Sequence, residues 1–363
     1  MSLLCLSGSD VAQVTTNLSP ETLQNLMAHV FFLLSASDPK SVFMPHRTPL
    51  PMQNHLSLFM PARLVSPALT GTSIKIVSVP TSPTDMRGLP ASTLVLDEDS
   101  GTIRAILNAS RLTALRNAAA RHEGSLLSCN LVGPRQPSNI VAFGAGAQIS
   151  AHLDIFLRAF PTLKRCTIVN RTLNDRAERL VQHLRARFDE VQFEFIAHDA
   201  NKPNASLRST LLSAQLVVCA TSSTIPLFPS SHISNGTHII LIGSYKPTMH
   251  EVDSTLIRRA LLVTNTLLVD SRSACAIEAG ELIDAQVESS QITEIGELVS
   301  FDATTQELQI DPHRKSLQFH EGQTDGSITI FKSVGVGLQD VAIACAVVKQ
   351  AEDMELGTRV DWD

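Results

Sequence analysis

From residue 139 onward, short apolar runs alternate with turns and amphipathic stretches. NIVAFGAGAQ reads as a strand and a glycine turn, ISAHLDIFLRAF as a helix, RCTIVNRT as a strand and NDRAERLVQHLRARF as a helix. VQFEFIA, AQLVVCATS, THIILIGS and TLLVD continue as short strands. Apolar strands alternating with helices predict a parallel, doubly wound sheet with helices on both faces.

The N-terminal third is patterned differently. Ser19-Pro20-Glu21 supplies an N-cap, a first-turn proline and an acid to open the helix ETLQNLMAHVFFLLSA. Residues 38–55, rich in proline and polar residues, read as a loop. HLSLFMPA, SIKIVSV, STLVLDE and TIRAILN read as strands, the last two joined by an Asp-Ser-Gly turn. SRLTALRNAAARHEGSLLSC has helical spacing, and VGVGLQDVAIACAVVKQ predicts a long C-terminal helix. The expected fold class is α/β: a Rossmann-type parallel sheet beside a mixed, largely antiparallel α+β domain.

Composition narrows the function classes. A chain of 363 residues suggests two domains, and its 44 % of apolar residues can supply both cores. The net charge of −6, the scattered basic residues and 4 % aromatics argue against nucleic acid or an anionic membrane surface as partner. Six cysteines without a CxxC pair imply a reduced compartment and no metal site. MSLLCLSGSD lacks the basic start of a signal peptide, and no apolar run reaches the length needed to span a bilayer. The expectation is a cytoplasmic protein acting on a small molecule.

Gly144, Ala145, Gly146, Ala147 and Gln148 follow a strand and open a helix. Gly144 would permit the tight turn. Gly146 would let backbone approach a pyrophosphate at the helix N-terminus, where free N–H groups favour an anion. A bare GxG also serves as a simple turn, and Ile149 stands where glycine or alanine usually eases helix packing. The next strand ends in Asn170-Arg171-Thr172, without the carboxylate that would bind the ribose of NAD. A guanidinium with two hydrogen-bonding side chains suits a 2′-phosphate, so NADPH is expected over NADH; the alternative is a solvated loop arginine. Thr221, after LVVCA, is placed to line the nicotinamide crevice.

On the substrate side, Arg47, Lys75 and Arg116 stand out in the first domain. For Lys75 the competing explanation is a solvent-facing strand position, and for Arg116 a helix-surface arginine. The lone tyrosine, Tyr245, follows the strand HIILIGS. It is either a hydrogen-bond donor at the crevice or a loop tyrosine packed on its neighbours.

KIV, RLTALRNAAA, VAFGAGAQ, IVNRT, VDSRSACAIEAGEL, IGEL and FKSVGVGLQD, in this order over about residues 40–350, resemble the ornithine cyclodeaminase/mu-crystallin family. The resemblance implies a homodimer in which a Rossmann domain is inserted into a substrate-binding and dimerisation domain. The expected boundaries are 129–332 for the first and 1–128 with 333–363 for the second. It also implies that Arg47, Lys75 and Arg116 gather the carboxylate of an imino or amino acid, and that the NRT triplet is similar to that of NADPH-binding members. Asp340 resembles a family position; the alternative is a residue that only caps the helix or pairs structurally.

The cyclodeaminase branch has an acid at the end of the second strand and an aspartate in the loop where Tyr245 stands here. Both departures point to an NADPH-dependent reductase of pyrroline-2-carboxylate or piperideine-2-carboxylate, forming L-proline or L-pipecolate. The alternatives are the cyclodeaminase itself, a largely non-catalytic NADPH-binding protein, and reductive amination of a 2-oxo acid. Lys75, Tyr245 or an ordered water could supply the proton at nitrogen.

Overall fold

The computed structural model describes residues 2–36, 40–82, 89–110, 124–202, 204–264, 266–302, 308–310 and 328–362. Arg116 lies outside the described residues.

The first sheet is assembled from β1 (Ser2–Leu6), β2 (Val42–Phe43), β3 (Thr48–Pro51), β4 (His55–Val65), β5 (Thr70–Pro80), β6 (Ala91–Leu96), β7 (Ile103–Asn108) and, from the far end of the chain, β18 (Thr358–Asp361). Its order is β18–β1–β7–β6–β5–β4–β2, with β3 also on β4. All neighbours are antiparallel except β1 with β7, so the sheet is mixed.

Two local features differ from expectation. Within 38–55, read as a loop, β2 and β3 pair with β4. Pro49 and Pro51 are tolerated in β3 because a strand with an unpaired side does not need every N–H. The N-terminus forms β1 and then helix α1 (Gly8–Asn17), opened by a capping box. Asp10 Oδ2 accepts from Ser7 N at 2.8 Å, and Ser7 Oγ accepts from Asp10 N at 3.3 Å.

Helix α2 (Pro20–Ala36) and the helical residues 124–132, α3, follow the expected pattern. The second sheet contains β8 (Asn139–Phe143), β9 (Arg165–Asn170), β10 (Gln192–Ala197), β11 (Leu216–Cys219), β12 (His238–Leu241), β13 (Leu267–Val269), β14 (Ile292–Glu294) and β17 (Thr329–Lys332). Its order is β10–β9–β8–β11–β12–β17–β13–β14, with every neighbouring pair parallel. β11, β12 and β17 are buried at every position, as a sheet covered on both faces requires. The crossovers carry α4 (Ala147–Ala159), α5 (Asp175–Arg187), α6 (Ala205–Leu212), α7 (Ser254–Thr264), α8 (Arg272–Glu278) and α9 (Gly280–Asp284). β15 (Val299–Phe301) and β16 (Leu308–Ile310) form a separate antiparallel pair.

After β17 the chain returns to the first sheet as α10 (Gly337–Asp353). Residues Gly337–Ala344 are all buried, because this helix lies beneath the sheet and beside α1 and α2. The segment 333–340 therefore joins the C-terminal edge of the second sheet to the buried face of the first.

A buried histidine braces the base of the second sheet. His238 Nε2 lies 2.9 Å from Ser128 Oγ of α3, and Nδ1 lies 2.7 Å from Thr329 Oγ1 of β17. Burial lowers its pKa from 6.5 to about 3. Between those values the unfolded chain binds a proton that the native imidazole refuses, so stability falls as pH drops from 6.5 towards 3. Each pH unit crossed costs about 1.4 kcal/mol, so the whole interval removes about 5 kcal/mol. Denaturant midpoints measured across that range should depend less on pH in His238→Gln than in the wild type.

Candidate active site

The glycine turn after β8 has the geometry its sequence suggested. Gly144 adopts φ +113°, which L side chains rarely take, and its N–H donates to Val169 O at 2.8 Å. Gly146 is the N-cap of α4 without a side-chain cap, and a Cβ placed there would meet open space. The first N–H groups of α4 thus face an unfilled approach, as an anion at a helix N-terminus needs. Ala145 is buried, while Ala147 and Gln148 form the first turn of α4. Ile149 is fully buried, its Cγ1 3.4 Å from the Cβ position of Gly144, so the larger side chain is accommodated under the turn.

At the end of β9, Asn170 Nδ2 donates to Thr172 O at 3.0 Å and shapes the turn that presents Arg171. Arg171 and Thr172 are exposed. Arg171 opens onto a cavity of about 330 Å³ also lined by Ala197 at the end of β10 and by His198, Asp199, Lys202 and Asn204 after it. Lys202 Nζ lies 3.5 Å from Asp199 Oδ2, and the Asn201 N–H holds the Asp199 carboxyl below its ordinary range. Sequence reading missed Lys202 and His198. Their only signal was their place after the β10 strand, next to β9 in a doubly wound order.

Lys75 is buried, which decides against the solvent-facing alternative. β5 alternates, and Lys75 falls on the face with Gly71, Ser73 and Val77, whereas Ile74 and Ile76 lie on the less buried face. Its cross-strand neighbours are Met60 on β4 and Thr93 on β6. The ammonium lies 3.4 Å from Asp340 Oδ1 in the first turn of α10. Among the described residues, the buried Ser73 and Thr93 hydroxyls on the same face have no hydrogen-bond partner. Orphaned hydroxyls flanking a buried ammonium are costly in a closed core and suit a polar ligand.

Arg47 immediately precedes β3, whose first residue Thr48 pairs with Phe59 of β4, next to the Met60 that lies opposite Lys75. Its Nη2 straddles the carboxylate of Glu278 on α8, at 2.7 and 2.6 Å. The pair is about three-quarters buried and ties the segment leading into β3 to the end of α8.

The strand ends of the second sheet carry a cluster that sequence reading did not find. Lys332 Nζ pairs with Glu281 Oε1 at 3.0 Å, both side chains wholly buried. Glu251, also wholly buried, accepts from Thr221 N at 2.6 Å and Thr221 Oγ1 at 3.0 Å. The Thr221 hydroxyl is thus directed at Glu251. Asp270 accepts from Ser333 Oγ at 2.6 Å and Gly335 N at 2.7 Å, fixing the turn from β17 towards α10. Replacing Lys332 by methionine would leave Glu281 uncompensated and should destabilise the protein by about 3–5 kcal/mol, read as a lowered Tm.

Tyr245 is half-buried in the loop after β12, with Lys246 Nζ 5.7 Å from its ring centroid. The six cysteines are free, and burial pushes the thiols of Cys129, Cys166, Cys219 and Cys275 up. Among the described residues there is no cluster able to hold a metal ion, and no helix is long and apolar enough to cross a membrane.

The family model of the ornithine cyclodeaminase/mu-crystallin family matches residues 10–355. The chain belongs to this family. It is 23 % identical over 349 residues to a Delta(1)-pyrroline-2-carboxylate reductase of Bacillus cereus, covering 94 % of this chain and 96 % of the relative. It is 25 % identical over 305 residues to the ketimine reductase mu-crystallin of Mus musculus, covering 84 % and 83 %. The solved structure of Thermococcus litoralis Delta(1)-pyrroline-2-carboxylate reductase, in complex with NADH and L-proline, superposes with a TM-score of 0.78 at 20 % identity, over 98 % of this chain and 100 % of that one. At that identity the superposition establishes the shared fold. As a member of the family, the chain joins a Rossmann-like parallel sheet to a mixed α/β unit.

Proposed function

We propose that this family member is an NADPH-dependent reductase of a cyclic ketimine carboxylate, pyrroline-2-carboxylate or piperideine-2-carboxylate, forming L-proline or L-pipecolate. The observation that carries the substrate class is the buried Lys75 between the orphaned hydroxyls of Ser73 and Thr93. An anionic, hydrogen-bonding ligand would give both hydroxyls a partner beside the ammonium, which Asp340 already pairs. The names of the Bacillus and mouse relatives support an imine as substrate.

In this reading residues 129–332 form the cofactor domain, and 1–128 with 333–363 the substrate and dimerisation domain of a cytoplasmic homodimer. Gly144–Gln148 and the start of α4 hold the pyrophosphate, and Asn170-Arg171-Thr172 the 2′-phosphate, with Lys202 and His198 across the cavity. The Thermococcus structure holds NADH; the choice of NADPH here rests on Arg171 and on the missing carboxylate at the end of β9. When bound, the reduced nicotinamide supplies the hydride that the imine carbon accepts.

The chain's own residues bind and orient. Lys75 takes the substrate carboxylate, assisted by Arg47 and Arg116, with Asp340 neutralising the ammonium between turnovers. The nitrogen must carry a proton for the C=N carbon to accept hydride, and the Lys75 ammonium and the Tyr245 hydroxyl each carry a proton that either could supply. Thr221, locked to Glu251, shapes the floor of the crevice.

The test is turnover of both cyclic ketimines with NADPH and with NADH, alongside ornithine with NAD. Ketimine reduction driven by NADPH is expected. Ammonia release from ornithine without ketimine reduction would replace this reading by cyclodeamination.

A further inference from the structure

The loop that carries Tyr245 is closed at its neck by one side chain. The β11–β12 register ends at Cys219↔Leu241, and Ile242 N makes the next bond, to Cys219 O at 2.9 Å. The amides beyond, Thr221 N and Gly243 N, both donate to Glu251, to Oε1 and Oε2, each at 2.6 Å. One carboxylate thus joins the ends of two strands and both ends of the loop between Gly243 and Glu251. Its backbone is fixed as well: Leu227 N donates to Glu251 O at 2.9 Å, and His250 N to Ser223 O at 2.9 Å.

The fit around this neck leaves no slack. A Cβ on Gly243 would stand 1.9 Å from Thr221 O and 2.5 Å from Glu251 Oε1. The far side of the loop rests on Gly280, where a Cβ would stand 2.2 Å from Met249 O and 2.7 Å from Pro247 O. The adjoining residue, Glu281, is anchored by its buried pair with Lys332. Ser244 Oγ closes the interior of the loop by donating to Met249 O at 2.7 Å. Burial raises the Glu251 carboxyl above its ordinary value, opposed by the Lys332 ammonium.

We propose that Glu251 and Gly280 are positioning residues that clamp the 243–251 loop from its neck and its back, holding Tyr245 as a preformed wall of the catalytic crevice. The proposal rests on the reductase reading for its consequence in turnover, and on geometry alone for the clamp. Glutamine at 251 keeps the size of the side chain but has one acceptor oxygen, and it turns an NH₂ towards one of the two backbone N–H groups. Alanine at 280 pushes the loop outward without touching Glu251.

The chain has one tyrosine, so fluorotyrosine labelling gives a fluorine NMR spectrum in which the only line belongs to this loop. The wild type should give one narrow line. Glu251→Gln and Gly280→Ala should each displace or split it, and kcat with NADPH and a cyclic ketimine should fall by on the order of 10²-fold while NADPH binding is kept. Adding Tyr245→Phe to either variant should cost no further activity. Unchanged spectra in both variants, or shifted spectra with full kcat, would overturn the proposal. Gly280→Ala decides the matter if Glu251→Gln does not fold. If the wild type reduces no ketimine, the reductase reading fails by itself, and the fluorine lines still report whether the clamp holds.

Discussion

Lys75→Met is expected to lower kcat/KM for the cyclic ketimine by on the order of 10³-fold. Lys75 is buried on the face that meets α10, where its ammonium pairs with Asp340 at 3.4 Å. Truncating one member of a buried charge pair costs about 2–5 kcal/mol, much of it from leaving the other charge unmatched. At about 1.4 kcal/mol per tenfold, the upper part of that range corresponds to the stated loss. The same change takes the ammonium away from Asp340, so a lower Tm is expected alongside. Lys75→Met/Asp340→Asn removes that carboxylate charge too and should recover stability without recovering turnover. Steady-state kinetics and melting curves on the two variants separate the roles, and full activity in Lys75→Met would refute the carboxylate assignment.

Arg171→Ala should raise the KM for NADPH about 10- to 100-fold and leave that for NADH unchanged. Hydrogen bonds to a charged group contribute about 1.5–3 kcal/mol, and Arg171 is exposed, so salt screens part of that. Lys202, partly neutralised by Asp199 at 3.5 Å, should show a smaller effect of the same sign. The ratio of kcat/KM for the two cofactors, measured at low and moderate ionic strength, checks both the size and the electrostatic origin. A ratio insensitive to Arg171 would remove the basis for preferring NADPH.

The parts of the fold readable from sequence were those whose pattern is local. Apolar runs gave β8–β13, and the strand–glycine–helix order placed Gly144 and Gly146. Alternation in SIKIV identified a strand, yet it could not say which face was buried. The isoleucines suggested one side, and packing against α10 selected the side of Lys75. β2 and β3 were hidden because proline and polar residues are acceptable wherever one side of a strand goes unpaired. Glu251, Glu281 and Lys332 left no readable trace. They come from three separate stretches, and only the convergence of strand ends makes them neighbours. A buried charge is recognisable from its partners, and its partners are a tertiary fact.

The strand order also governs when the protein can fold. β17, the last strand of the second sheet in sequence, lies between β12 and β13 in space. Until residues 329–332 are in place, β12 and β13 have no common neighbour, and the Ile239–Leu241 edge offers unpaired backbone and bare apolar side chains. A nascent chain that has completed β8–β12 thus carries a sticky open edge through the synthesis of about ninety further residues. Long-range closure of this kind slows folding, and it makes the second sheet dependent on the same late segment that delivers α10 to the first. The two halves of the molecule should therefore acquire their native structure together, and a chain interrupted before Thr329 should be prone to aggregate.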